Sequence, residues 1–304
     1  MLMYDVIIIG AGTAGLSAAI YAVRAGKSAL VLEAKAYGGQ IINTPEVENY
    51  PGIKNISGFE FATGLFEQAK DAGAVIKTQG VLEVKKEADI FTVTTKRNVY
   101  ESKALIIATG ATNRPLGLER EKEMIGKGIS YCATCDGAFF KGKDVAVIGG
   151  GNTALEDAGF LSNYCRKVYI VHRRDAFRGE PATLERLKAK ENVELVLDSV
   201  SVELTGEDRV SGLEVKNVKT GELRKLDVDG IFVAIGQIPS NALFKDFVAL
   251  DAAGYVVAGE NCRTDVKGVF AAGDCRTKKI RQLTTAASDG AIAALEACEY
   301  IDTL

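Results

Sequence analysis

Histidine is almost absent from this chain: one residue, His172, stands in 304. Any Ser-His-Asp triad, Cys-His pair or multi-histidine metal site would have to be built on that single ring, so acid and base work falls mainly to carboxylates and thiols. Runs of one charge are lacking too. The formal net charge is -3 and no five like charges stand together, which leaves no footprint of a nucleic-acid surface or a polybasic membrane patch. Small molecules and proteins are the expected partners. Long apolar stretches are missing as well: the run Val6 to Ile9 ends at Gly10, far short of the roughly 18 residues of a signal or spanning segment. With no basic leader before it, the chain is expected to be cytoplasmic. Cysteine is sparse. Six scattered cysteines give no structural disulfide framework, and one close pair in a reducing compartment reads as catalytic or metal-binding.

Glycine is what the sequence has in excess, with 32 in 304 positions against an average usage of about 7%. An internal repeat organises it. Asp5 to Lys35 (DVIIIGAGTAGLSAAIYAVRAGKSALVLEAK) reads as an apolar strand, a glycine turn, an alanine-rich helix and a second strand ending at Glu33. Asp144 to Arg174 repeats the pattern, so that Gly10, Gly12 and Gly15 correspond to Gly149, Gly151 and Ala154, and Thr13 and Ala14 to Asn152 and Thr153. Late in each half, Lys103 to Ala111 and Gly230 to Gln237 read as buried strands opening into turns at Thr109-Gly110 and Ile235-Gly236. A tight first turn, a glycine that lets backbone approach a pyrophosphate and a small residue for helix packing are what a dinucleotide site needs, with the helix N-terminus facing the phosphates. The fold class is therefore α/β, with two Rossmann-like three-layer domains.

The ribose positions separate two ligands. Glu33 lies about 20 residues past the glycines, where an acid bonds the ribose hydroxyls of a nucleotide without a 2'-phosphate. Its counterpart is His172, followed by Arg173, Arg174 and Arg178, a basic cluster suited to a phosphate. Module one suits FAD and module two NADPH. Thr112 to Pro115 and Gln237 to Asn241 mark the boundaries. Lys267 to Cys275 (KGVFAAGDC) is a third strand-to-glycine turn, followed by a helix from about Leu283 to Ile301, and is assigned to the first domain. An NADPH domain, 114–243, then interrupts an FAD domain made of 1–113 and 244–304.

Tyr131 to Gly137 reads YCATCDG. The CxxC spacing suits a reversible disulfide within one turn. Half of a zinc site is the alternative, but no second CxxC exists and the one histidine is committed elsewhere, so no metal is expected; an inert core pair is a third reading. Asp136 is either a helix cap or the group that moves protons at the thiols. Cys165, Cys262, Cys275 and Cys298 read as packing residues.

Taken together, GAGTAG at Gly10 to Gly15, GGQ at Gly38 to Gln40, ENYPG at Glu48 to Gly52, CATCD at Cys132 to Asp136, GGGNTA at Gly149 to Ala154, HRRDAFR at His172 to Arg178, AAGD at Ala271 to Asp274 and RQLTTAA at Arg281 to Ala287 closely resemble the low-molecular-weight thioredoxin reductases over essentially the whole chain. The resemblance implies that NADPH electrons pass through FAD and the Cys132-Cys135 pair to oxidised thioredoxin. It places Glu33, Ala34, Lys35, Gly38, Gly39, Gln40 and Asn49 along the FAD, with Val81, Thr109, Gly110, Gly273, Asp274, Arg281, Gln282 and Leu283. It makes Cys135 the cysteine facing the flavin, Cys132 the one that exchanges with thioredoxin, and Asp136 the acid-base residue. It also implies a homodimer and a rotation of the inserted domain. Two departures stand out: Thr13-Ala14 where the family often has proline, and Gly179 where it usually has alanine. The competing readings are a flavoprotein partner of a peroxidase system, which normally carries a further N-terminal redox domain, and a nucleotide-binding redox sensor without turnover.

Overall fold

The apolar run Val6 to Ile9 is buried at the end of β1 (Leu2–Ile9), the strand on which the first half is built. An unbroken run of this kind is what a strand covered on both faces needs. The computed structural model describes residues 2–304 and divides the chain into two units: the residues through Thr112 with Ile238–Leu304, and Asn113–Gln237.

The first unit continues with α1 (Thr13–Arg24), β2 (Ala29–Glu33), α2 (Gly58–Asp71), β3 (Val75–Thr78), β4 (Val81–Glu87), β5 (Ile90–Thr95) and β6 (Val99–Ile107). β1 pairs in parallel with both β2 and β6, so that Ile7 lies opposite Leu30 and Leu105. β6 also carries an antiparallel extension, with Phe91 and Val93 of β5 opposite Ser102 and Tyr100. In β5 buried residues alternate with half-buried ones, the pattern of a strand with one covered face. A reciprocal box of Ser57 and Glu60 starts α2, each side chain satisfying a backbone N–H of the first turn.

After β7 (Ala111–Asn113) the chain builds the second unit from α3 (Glu121–Met124), β8 (Ile129–Ser130), α4 (Ala133–Asp136), β9 (Asp144–Ile148), α5 (Asn152–Leu161), β10 (Lys167–Val171), α6 (Pro181–Lys188), β11 (Val193–Val196), β12 (Ser199–Thr205), β13 (Gly212–Asn217), β14 (Leu223–Leu226) and β15 (Gly230–Val233). A parallel sheet runs β11-β10-β9-β15-β8, and β12-β13-β14 form a separate antiparallel sheet. β16 (Gln237–Pro239) pairs with β7, and β17 (Val269–Ala271) then joins β6 in parallel.

The tail closes the first unit with α7 (Leu283–Asp302). Its buried Ala293, Ala294 and Ala297 recur at helical spacing. Gly290 lets it approach α1 so closely that a Cβ there would lie 2.2 Å from the Ala14 carbonyl oxygen. The sheet of this unit runs β3-β2-β1-β6-β5-β4, with β17 on β6. Ile9, Ile107 and Ala271 are level in the register, so three parallel strands open their glycine turns along one edge. Ligands of α/β sheets bind at that carboxyl edge.

Candidate active site

Gly10, Gly110 and Gly273 follow those three strand ends. The fold itself demands two glycines of the first turn: Gly10 has φ +112°, with a Cβ there 2.3 Å from the Ala108 oxygen, and a Cβ on Gly15 would sit 1.9 Å from the Gly10 oxygen. Gly12 is different. Its backbone is extended at φ -79°, and a Cβ would meet nothing nearer than Gly39 Cα at 4.0 Å. Open space over a glycine with ordinary dihedrals suits a ligand's close approach to backbone. Thr13 and Ala14, both buried, open α1, whose N-terminal N–H groups receive no side-chain cap and so remain suited to an anion.

Glu33 shapes this turn: Oε2 accepts from Ala11 N at 2.8 Å and Oε1 from Lys35 N at 2.9 Å. Each oxygen keeps a further lone pair for a ligand hydroxyl. Ala34 and Lys35 continue outward into solvent. Gly38 donates to the Ala11 carbonyl at 2.7 Å, which brings Gly38 and Gly39 beside Gly12. The Gln40 amide donates to the Ala111 carbonyl, Asn49 Nδ2 to Gln282 Oε1 at 3.2 Å, and Thr109 Oγ1 to Asn241 Oδ1 at 2.9 Å. Val81 packs half-buried against the core cluster that holds Ile7 and Leu30.

The second turn repeats the geometry. A Cβ on Gly149 would lie 2.4 Å from the Ala234 oxygen, whereas one on Gly151 would have nothing within 4 Å. Gly151 precedes α5 without a side-chain cap, Asn152 and Thr153 are exposed on the first turn, and Ala154 is buried behind them. His172 is placed as a wedge. Its ring fills the space beside Gly150, where a Cβ would fall 2.1 Å from Cε1, stacks on Phe177 at 4.9 Å and sets Nε2 3.2 Å from the Ala176 carbonyl oxygen. Burial, helped by the charges of Arg173, Arg174 and Arg178, holds its pKa below the ordinary value, which favours the neutral ring. The three arginines are exposed, and Arg178 N donates to the Gly150 carbonyl at 2.8 Å, tying the basic segment to the turn. Gly179 also has a packing reason, since a Cβ there would lie 2.5 Å from Leu155 Cδ1. Ile235, two residues past β15, is half-buried, and Gly236, at φ +99°, accepts from Arg114 N at 3.0 Å.

Cys132 and Cys135 are joined by a disulfide with a Cα–Cα distance of 5.3 Å. Both are half-buried, whereas Cys165, Cys262, Cys275 and Cys298 are buried thiols. Burial pushes Cys165 and Cys275 up to about 11 and Cys262 to about 12. Those thiols stay protonated and inert. Beside the disulfide, Asp136 Oδ2 accepts from Ser130 Oγ at 2.5 Å. Burial raises the Asp136 pKa, and the Ser130 hydrogen bond opposes it. A carboxyl whose pKa burial raises therefore sits next to the second cysteine.

The sequence pattern of the pyridine nucleotide-disulphide oxidoreductases matches residues 4–290. The chain belongs to that family. It is 46% identical over 302 residues to the thioredoxin reductase of Treponema pallidum, covering 99% of this chain and 98% of that one. A bifunctional thioredoxin reductase/thioredoxin of Mycobacterium leprae is 43% identical over 302 residues, 98% of this chain and 66% of the other. The crystal structure of thioredoxin reductase from Streptococcus pyogenes superposes with a TM-score of 0.94 at 40% identity, over 99% of both chains.

A pyridine nucleotide-disulphide oxidoreductase requires a flavin and a pyridine nucleotide, and the first unit offers an independent test of fit. Oδ1 of Asp274, just after Gly273, is buried and without a hydrogen-bond partner. Burial raises its pKa against the lowering charges of Lys278 and Arg281. An orphaned buried acceptor at the carboxyl edge of the sheet suits a ligand hydroxyl. Arg281 lies over the Tyr255 ring at 4.2 Å, and Gln282 caps α7 one residue before Leu283.

Sequence reasoning missed the group behind Asp274. Asp289 receives both Arg276 Nε and Nη2 at 2.8 Å, Lys278 Nζ at 2.9 Å and the Gly273 N–H at 2.9 Å. The available signal was small: Asp289 is the one charged residue between Leu283 and Ala294, a buried acid on an otherwise small-residue helix. Ser130 had no signal beyond its closeness to the cysteines.

Proposed function

We propose that this oxidoreductase is an NADPH-dependent thioredoxin-disulfide reductase, with FAD held by the first unit, NADPH by the second and oxidised thioredoxin as the final acceptor. The observation that carries the reading is the half-buried Cys132–Cys135 disulfide with the carboxyl of Asp136 beside it. Bound FAD would supply the two-electron relay between the nicotinamide and that disulfide.

In the first unit the α1 N-terminus and the open face of Gly12 would hold the pyrophosphate, Glu33 the adenosine ribose and Asp274 the ribityl chain. Gly38 to Gln40, Asn49, Val81, Thr109, Gly110 and Arg281 to Leu283 would line the remainder, as the resemblance implies. In the second unit Gly151 to Ala154, Ile235 and Gly236 would cradle NADPH. Arg173, Arg174 and Arg178 would bind its 2'-phosphate, with His172 buttressing the loop that presents them. The domains are accordingly an FAD-binding domain, 1–113 with 244–304, and an NADPH-binding domain, 114–243. A homodimer in the cytoplasm completes the proposal.

Reduction of the disulfide consumes two electrons and two protons and leaves two thiols. The Asp136 carboxylate takes the proton of the Cys132 thiol, and the Cys132 thiolate then attacks one sulfur of the thioredoxin disulfide. A mixed disulfide forms, the thioredoxin S–S bond breaks, and the departing sulfur takes a proton from Asp136. Cys135 next gives up its thiol proton and attacks Cys132 Sγ, which restores the Cys132–Cys135 bond and expels the second thioredoxin sulfur, to which that proton passes.

The test is an anaerobic titration of the FAD-loaded protein with NADPH, following flavin absorbance and then adding oxidised thioredoxin. Uptake of about two equivalents per chain, with the flavin reoxidised by thioredoxin, is the expected result for a flavin and a disulfide in series. About one equivalent and no response to thioredoxin would remove the cysteine pair from the circuit.

A further inference from the structure

We propose that Ser130 is a positioning residue for thiol–disulfide exchange: its hydroxyl locks the carboxyl of Asp136 to the backbone of Cys132 and satisfies that carboxyl in both of its protonation states. The proposal rests on Asp136 being the acid of the exchange step.

The geometry is local and complete. Ser130 is 4% exposed. Its Oγ donates to Asp136 Oδ2 at 2.5 Å, accepts from the Cys132 N–H at 3.0 Å, and has the Cys132 carbonyl oxygen at 3.3 Å. A hydroxyl has one hydrogen and two lone pairs. While Asp136 is a carboxylate, that hydrogen points to Oδ2. When Asp136 takes up a proton, the carboxyl can donate to Oγ, and the serine hydrogen turns to the Cys132 carbonyl. In both arrangements Oγ still accepts from Cys132 N–H. Neither state leaves Ser130 Oγ or Asp136 Oδ2 without a partner, which would otherwise disfavour one side of a proton-transfer step.

The serine is itself held rigidly. It ends β8 opposite Phe232 of β15. The next residue, Tyr131, donates its hydroxyl to Glu121 Oε1 at 2.6 Å, and the buried Glu121 also accepts from Leu116 N and Gly117 N at 2.8 Å each. Ser130 can therefore act as a fixed reference for a turn whose own covalent bonding changes with every cycle.

Tyr164 brings its hydroxyl against the residue after Asp136, where a Cβ on Gly137 would lie 2.1 Å from it, and burial raises its pKa to about 12. The helical turn Gly137–Phe140 that follows Asp136 carries no titratable side chain, and α5, which packs on α4, carries Glu156 and Asp157. Burial raises the Asp136 pKa and the Ser130 bond lowers it, so removal of the hydroxyl drives Asp136 toward its neutral form.

The decisive readout needs no turnover. The carboxyl stretch of Asp136, identified by its loss in Asp136→Asn, is followed by infrared difference spectroscopy of the oxidised full chain as pH is varied. Ser130→Ala is expected to move the titration midpoint upward by about one pH unit, the loss of one hydrogen bond to an anion. Ser130→Thr keeps the hydroxyl and is expected to titrate with the wild type. Should Ser130→Ala fold poorly, Ser130→Cys, a weak donor, is expected to move the midpoint in the same direction. An unmoved midpoint in the alanine or cysteine variant overturns the assignment. Thioredoxin reduction measured alongside separates the two ideas. A moved midpoint with no thioredoxin turnover even in the wild type sinks the reductase reading, and with it the positioning role, and leaves only the Ser130–Asp136 hydrogen bond in place, whereas wild-type turnover with an unmoved midpoint sinks Ser130 alone.

Discussion

Replacing Asp289 with alanine is expected to be one of the most damaging single changes in the first unit. It would strand Arg276 and Lys278, whose side chains are 6% and 8% exposed, without the carboxylate they share. Removing one partner of a buried ion pair costs about 3–5 kcal/mol, and the Gly273 N–H loses its acceptor as well. Domains of this size shift by about 2–4 °C per kcal/mol, so thermal unfolding of flavin-free protein, followed by far-UV circular dichroism, should fall by about 10 °C. The double variant Arg276→Met with Asp289→Ala removes one of the stranded charges and should lose less than the two single losses added. The pH dependence carries a sign. Burial is the largest influence on Asp289 and raises its pKa, but hydrogen bonds from Arg276 and Lys278 outweigh it and the net shift is downward. A depressed folded pKa contributes stability above the unfolded value, about 4, and loses it as pH falls through the folded one. The gap between wild type and Asp289→Ala should therefore narrow in acid. A melt within about 2 °C of wild type at neutral pH, or strict additivity in the double variant, would refute the account of a coupled buried cluster.

Exchanging Arg173, Arg174 and Arg178 together for neutral residues should weaken NADPH by on the order of a hundredfold while NADH changes little; equal losses, measured by flavin reduction kinetics, would move the 2'-phosphate site elsewhere. Gly12→Ala should leave flavin-free stability intact or raise it by up to about 1 kcal/mol, yet abolish tight FAD binding. Gly15→Ala should prevent folding, because its Cβ would sit 1.9 Å from a carbonyl oxygen; equal outcomes for the two would contradict the cradle. Asp157 is pushed up to about 7 by burial, with the charge of Glu156 adding to it. A raised carboxyl pKa lowers stability as pH rises from about 4 to 7, so Asp157→Asn should stabilise the protein by up to about 4 kcal/mol at pH 8 and by less at pH 5, as paired thermal melts would show.

Glycine spacing made the two βαβ units legible, because sterics fix it: Gly10 and Gly149 sit where a Cβ would strike a carbonyl oxygen. The return of the tail was legible for the same reason, since Val269–Ala271 reads as a buried strand ahead of another glycine turn. Periodicity did not disclose the β4-β5 extension or the β12-β13-β14 sheet, whose short strands carry many exposed polar and charged residues. His172 shows a different limit. Its place in the repeat put it at the ribose, but the ring is spent on packing against Gly150 and Phe177, a question of shape that spacing does not encode. Arg276, Lys278 and Asp289 were hidden because their meeting depends on α7 folding back over the third turn.

The paired exit and entry strands have a consequence for how such a chain can be rearranged. Ser240 N donates to the Gly110 carbonyl at 3.1 Å within the first unit, and Arg114 N to the Gly236 carbonyl at 3.0 Å within the second. Each unit thus has its two cut ends stitched together by its own backbone. A short turn could reseal either one. The inserted half is therefore portable, a cassette whose removal or replacement would ask the host for a few residues of new chain and no change of topology.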